Sequence, residues 1–284
     1  MKKRIFALVM ALCLVFALAA CGEEETAESP AATEEAEESP AAEETPAAEE
    51  STDPEASEQP EALSAEVTFE EEQSTVEEDG VTYMTAQSVV PTVTIEGASE
   101  AAAAIESALA ERLTVTQETI DANVELSKEQ YAGLTEEETA TWGGYSFLYS
   151  AEVVRSDGVL SVLCTQTSFT GGAHDNVTSF GLTFDLSTGE LLSASDISED
   201  YEGLKAKVVE SVTEQAAEYE EGELTGDINA FAEGVLDTEE WYLSDEGLVV
   251  FASPYEIAPY AAGTISFTIP YSELEGLLLD SLTA

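Results

Sequence analysis

The chain has 284 residues, with 60 acidic side chains against 8 basic ones, a formal net charge of −52 and one histidine. Charge of this sign repels phosphate backbones, which excludes nucleic acid as a natural partner, and it disfavours anionic membrane surfaces. It suits a basic partner, divalent cations or a saline surface; solubility alone is the plainer reading.

The first element is an export signal. Lys2, Lys3 and Arg4 precede an apolar run over 5–18, too short for a transmembrane helix of ~20 residues, which ends at Leu18-Ala19-Ala20-Cys21-Gly22. That pattern is a bacterial lipobox. It predicts removal of residues 1–20, lipidation of Cys21, and a protein anchored to the cell membrane on its extracellular side. Each acyl CH₂ buried contributes ~0.8 kcal/mol, so two or three chains anchor firmly. Cys13 leaves with the signal and Cys21 is capped. Cys164 then remains alone, and no intramolecular disulfide is expected.

Residues 21–64 read as the lipidated cysteine and a disordered acidic tether. Glu-Glu-Ser-Pro-Ala-Ala at 37–42 is followed by Glu-Glu-Thr-Pro-Ala-Ala at 43–48, with no basic or aromatic residue in the stretch. Such a segment has too little apolar surface to offset the entropy of ordering, and proline with charge repulsion keeps it extended.

The remaining 220 or so residues are expected to form an α+β module, mainly an antiparallel sheet with helices on one face, in two intimately associated halves over 65–198 and 199–284. Strands are predicted at 67–69 and 81–85 around an Asp79-Gly80 turn, and an edge strand at 89–93, because Pro91 cannot donate to a ladder. Ser99 reads as an N-cap to a helix whose stripe is Ile105, Leu109 and Leu113, continuing toward Ile120 and Val124. Residues 131–140 read as a surface connection. Two long strands, 145–154 and 159–169, flank Ser156-Asp157-Gly158, a hairpin signal. A further strand, 177–186, places Phe180, Leu182 and Phe184 on one face and ends at Ser187-Thr188-Gly189-Glu190.

In the second half, Leu204, Val208 and Val212 mark a helix over 201–219, and a shorter one spans 228–236. A hairpin follows at 241–243 and 248–251. Then come an aromatic loop over 254–263, a strand at 264–269, and a last helix opened by Pro270 and lined by Leu274, Leu277, Leu278 and Leu282.

The segment Phe169-Thr170-Gly171-Gly172-Ala173-His174-Asp175 joins two of these strands. His174 could serve as a general base or metal ligand, yet no hydrolase motif surrounds it, and a zinc site would have only Cys164 to add. The structural alternative is a bend in which the glycines take positive φ and His174 bonds backbone. Tyr255, Pro259 and Tyr260 could stack on a glycan, anchor a protein, or pack over the sheet edge. Cys164, in an apolar strand, reads as a buried inert thiol. The acidic runs 70–72, 136–138 and 220–221 lack EF-hand spacing and read as solvated faces. No metal and no cofactor is expected.

Three segments carry a resemblance: Phe169 to His174 with Phe184-Asp185-Leu186-Ser187-Thr188-Gly189-Glu190; Trp241-Tyr242-Leu243 through Phe251; and 254–263 with Ile269-Pro270. In order and spacing they resemble tandem bacterial extracytoplasmic domains of unknown function, PdaC-like in the first half and RsiV-like in the second. Similar modules precede the catalytic domain of a peptidoglycan deacetylase and form the outer part of a lysozyme-sensing anti-sigma factor. The chain departs from both in having no sigma-binding segment and no deacetylase Asp/His/His set. The resemblance implies a binding or sensing module on a lipid anchor, not an enzyme, for a cationic protein such as lysozyme or for peptidoglycan. The ligand-binding candidates are Phe169, Gly171, Gly172, His174, Asp175, Tyr255 and Tyr260. The alternatives are an envelope hydrolase acting around His174 and a structural lipoprotein without ligand.

Overall fold

The computed structural model describes residues 63–283. The signal peptide, Cys21 and the tether up to residue 62 lie outside the described residues. The carbonyl of Leu63, the first described residue, accepts from Gly158 N–H at 2.9 Å. Among the described residues no helix is long and apolar enough to cross a membrane.

The first sheet has the order β1-β2-β3-β4-β5, with β1 (Ala65–Glu78), β2 (Val81–Ile95), β3 (Tyr145–Arg155), β4 (Val159–Phe169) and β5 (Asn176–Asp185). All neighbours are antiparallel except β2 and β3, which pair in parallel over Met84–Gln87 and Tyr145–Leu148. A parallel pair needs a crossover. Here it is supplied by α1 (Ser99–Arg112), α2 (Gln117–Ala132) and the single-turn α3 (Glu136–Thr139). The second sheet is an antiparallel trio, β6 (Trp241–Leu243), β7 (Gly247–Ala252) and β8 (Ile265–Pro270). It is covered by α4 (Tyr201–Ala216) and α5 (Ile228–Gly234), and a short α6 (Asp280–Thr283) ends the described chain. The expected α+β class holds, with two sheets in place of one.

The Asp79-Gly80 turn has φ of 52° and 79°, the two left-handed residues that a tight hairpin needs. The strands it joins are far longer than the short runs expected from sequence, and β2 runs unbroken through Pro91. The proline fits because β3 leaves β2 after Gln87. Val89 N–H then donates to Leu113 O and Val93 N–H to Glu106 Oε2, so Pro91, between them, lacks its N–H on the side where no strand ladder runs.

Ile105, Leu109 and Leu113 are fully buried and pack with Val89, Leu160 and Phe184. Each such side chain contributes roughly 1.5–3 kcal/mol. Three expectations about helices are corrected. The cap of α1 is Ala98, without a side-chain bond, and Ser99 is the first helical residue. The stripe does not continue as one helix: the β-branched run Thr114-Val115-Thr116 breaks it, and Thr116 caps α2 by accepting from Thr119 N–H. Pro270 closes β8 opposite Gly247, and a single turn over Tyr271–Glu273 follows where a full helix was expected. Gly276 at φ 71° stops any continuation, although Leu274, Leu278 and Leu282 are buried as the pattern required.

A second core centres on Leu204, Val208, Val212, Leu248, Val250 and Phe267, and it includes Val159 at the start of β4. β6 crosses close to β5 at Gly181, whose N–H donates to Glu239 O at 2.6 Å. A Cβ on Gly181 would fall on the carbonyl oxygen of Trp241. Arg112 at the end of α1 adds an ion pair to Glu239 and lies over the Phe180 ring.

Candidate functional site at the glycine-histidine corner

The turn between β4 and β5 is built by its glycines. Gly171 and Gly172 have φ of 92° and 117°, a region L side chains rarely enter. Gly171 also lies against α2: a Cβ there would be 2.8 Å from the Gln130 side chain, which Tyr145 OH holds by donating to Oε1 at 2.7 Å. The bend aims His174 outward, and its ring is exposed.

The imidazole is nonetheless held on three sides. Nδ1 donates to the carbonyl of Asp175 at 2.8 Å. In the neutral ring Nε2 then accepts from Tyr255 OH, 2.9 Å away. The Tyr260 ring stacks on it at 4.0 Å and 20°, and the two tyrosine rings are 5.4 Å apart. Residues 81 positions apart in sequence, in the β4–β5 turn and the β7–β8 loop, thus form one aromatic cluster.

The loop between β7 and β8 is fastened at its base. Ile257 and Ala258 are buried, and the Ile257 carbonyl accepts from Thr225 and Gly226 N–H. Ser253 Oγ accepts from Ser179 N–H of β5 at 3.3 Å. Tyr255 has φ of 75°, which is strained for a tyrosine, and is 63% exposed. Pro259, at φ −59°, leads into the single turn that presents Tyr260.

Of the residues singled out from sequence, His174, Tyr255 and Tyr260 meet directly, with Asp175 contributing its backbone. Gly171 and Gly172 shape the turn. Phe169 stands apart, half-buried and paired with Ser146 in the sheet. On the other side of the corner, a shallow groove of about 600 Å³ is lined by Asn123, Leu126, Glu129, Gln130, Tyr145 and Thr170, and Leu126 is 54% exposed. Sequence reasoning missed this flank. The available signal was Leu126, an apolar residue out of phase with the buried Ile120 and Val124. It also missed Glu240, whose carboxyl is pushed up to about 7 by burial and by the facing Glu256.

The electrostatics are one-sided. The five basic residues beyond the signal are all committed elsewhere: Arg112 to Glu239, Lys128 to Glu78, Lys205 to Asp237, Lys207 to Glu210 and Glu273, and Arg155 to Tyr271 OH and the carbonyls of Asp157 and Leu282. None bonds to the cluster. Asp175 and Glu256 are the chain neighbours of His174 and Tyr255, and Glu129 lines the groove on the other side of the corner. Cys164 offers no nucleophile, being buried with its thiol raised to about 12 by desolvation. A second concavity of about 440 Å³ opens between β5, residues 191–196 and residues 236–241. Its carboxylates are occupied: Asp196 by Ser193, and Asp237 by Lys205 and Tyr201 OH.

One family model matches the chain, described as "Protein of unknown function (DUF3298)". The match covers residues 195–272. The matched segment holds α4, α5 and the second sheet with Tyr255 and Tyr260; His174 lies outside it. The fold is similar to that of a DUF3298 family member from Bacteroides fragilis, at 18% identity and a TM-score of 0.52, over 78% of this chain and 96% of that one. A DUF3298 family protein from Pseudomonas aeruginosa aligns at 17% identity over the same shares, with a TM-score of 0.48. No curated protein matches the chain.

Proposed function

We propose that the protein is a lipid-anchored binding module of the cell surface that captures a cationic protein through the His174–Tyr255–Tyr260 face. The observation that carries this reading is an exposed aromatic cluster in a strongly acidic chain, where the basic side chains among the described residues are all bonded elsewhere. Tyrosine rings with a polar tip favour protein recognition, and their faces attract guanidinium and ammonium groups. Lysozyme, implied by the resemblance to the sensing module of the anti-sigma factor, has the right charge; peptidoglycan is the other ligand that the resemblance implies. A role in binding, not catalysis, fits His174, whose ring nitrogens are taken by a backbone carbonyl and a phenol. The lipobox supports anchorage at Cys21, and the acidic tether would hold the module away from the membrane.

The test is capture of lysozyme by the purified protein at low and high salt. Binding at low ionic strength that weakens steeply with salt, and that falls on Tyr260→Ala, supports the reading. Absence of binding even at low salt overturns it. Mass spectrometry of the membrane-extracted protein checks the anchor: a diacylglyceryl mass on an N-terminal Cys21 is expected, and an unmodified Cys21 removes that part.

A further inference from the structure

Over residues 70–75, β1 adds no side chain to any apolar cluster, and Glu70-Glu71-Glu72-Gln73-Ser74-Thr75 are all exposed. Which way the backbone points follows from β2. Val89 and Val93 N–H leave the β1 side for Leu113 O and Glu106 Oε2. Residues directly opposite in an antiparallel pair either bond each other or both face away. Glu71 and Val67, opposite Val89 and Val93, therefore turn their N–H and C=O outward, and the unbroken register carries this parity through Gln73 and Thr75. Ala65 N–H, of the same parity, finds a partner on that side, Ser156 O at 2.9 Å. The outward groups of Glu71, Gln73 and Thr75 find none among the described residues, and no side chain of 70–75 is in a hydrogen bond or ion pair. The register shift after Val76 ends the free stretch, which spans roughly 20 Å. The opposite edge of the same sheet is closed: in β5, Ser179 N–H, Gly181 N–H and Thr183 O bond Ser253 Oγ, Glu239 O and Leu192 N–H.

We propose that this edge of β1 is a docking site for an extended basic polypeptide segment, which adds to the sheet as a sixth strand. Backbone pairing to Glu71, Gln73 and Thr75 supplies the bonds. Lysine or arginine side chains of the partner meet Glu70 and Glu72 on one face and Glu71 on the other. Charge selects this occupant over the alternatives. A second copy of the chain would set the run 70–72 against itself, and like charges directly opposite destabilise a pair. The segment over 22–62 has no basic residue and is unsuited for the same reason. The edge is built from β1 and β2 alone, so it holds whether or not the His174–Tyr255–Tyr260 face captures a cationic protein.

The probe is a soluble decapeptide of alternating lysine and threonine, added to the full-length protein at moderate salt. Amide hydrogen exchange at Glu71, Gln73 and Thr75 is expected to slow about tenfold with free peptide at ten times its Kd. The same peptide N-methylated at every residue keeps its charge but has no backbone donors, and should bind at least about tenfold more weakly. Gln73→Pro removes one outward N–H while sparing the ladder to β2, and should weaken the unmethylated peptide about fivefold. Should that variant not fold, the methylated peptide still decides. Tyr260→Ala should leave the affinity for the peptide unchanged. Absence of binding, equal affinity of the two peptides, binding without protection at residues 71, 73 and 75, or sedimentation of the free protein as a dimer that Gln73→Pro dissolves would each overturn the proposal.

Discussion

At the residue scale, the most telling position is Tyr255. A tyrosine at φ 75° costs about 1 kcal/mol that a glycine would not. Such strain persists where the side chain has a task, and here the ring holds His174 and faces solvent. Tyr255→Gly is therefore expected to keep or slightly raise the urea midpoint, while weakening capture of a cationic protein in the same salt-dependent assay. Gly181 gives the opposite case. Its missing side chain lets β6 pass, so Gly181→Ala should cost roughly 1–3 kcal/mol by overpacking, read as a lower midpoint in equilibrium unfolding. The turn glycines 171 and 172 were legible in the sequence because adjacent glycines between apolar strands announce positive φ. Gly181 was not, because nothing local distinguishes a glycine in a strand from one crossed by a strand sixty residues away.

At the scale of elements, the hydrophobic periods were legible wherever one face was buried. β4 is 159–169 as expected, and Leu204, Val208 and Val212 mark α4. What failed was punctuation. The break between α1 and α2 depends on Thr116 bonding Thr119 N–H, and on Val89 and Val115 N–H finding Leu113 O and Ser88 Oγ. Those partners come from β2, some twenty-five residues away, so a helical stripe read along the chain runs straight through the break. Thr116→Ala should cost about 1 kcal/mol, seen in thermal unfolding, with the near-ultraviolet signal of the folded state unchanged. The pairing of His174 with Tyr255 was likewise out of reach: each was visible as a candidate, but the register that joins the β4–β5 turn to the β7–β8 loop is a tertiary fact.

At the scale of the whole molecule, charge dominates. Residues 65–284 carry 5 basic and 44 acidic side chains, so self-repulsion opposes compactness. Moderate salt should raise the melting temperature, since screening relieves more repulsion than it removes from a few exposed ion pairs. A fall in melting temperature between 20 and 200 mM sodium chloride would contradict this. The response to pH carries a definite sign. Glu240 binds its proton more tightly in the folded chain than in the unfolded one, so its contribution is full below about pH 4.5 and is lost as pH rises through about 7. With the group only half-buried, the loss is on the order of 1 kcal/mol after screening. It should appear as a declining urea midpoint from pH 5.5 to 8 that is flat in Glu240→Gln.

The first described residue and one near the last lie at one place. Leu63 and Leu282 line the same cavity of about 350 Å³, Gly158 N–H holds the Leu63 carbonyl, and Arg155 reaches that of Leu282. The fold is thus nearly a closed ring in its connectivity. A circular permutant that joins residue 282 to residue 63 through a short glycine-serine segment, with new ends at the solvent-exposed Asp79-Gly80 tip, should fold with the parent's spectrum and cooperativity. The order in which the strands are synthesised would then change while their arrangement in space did not.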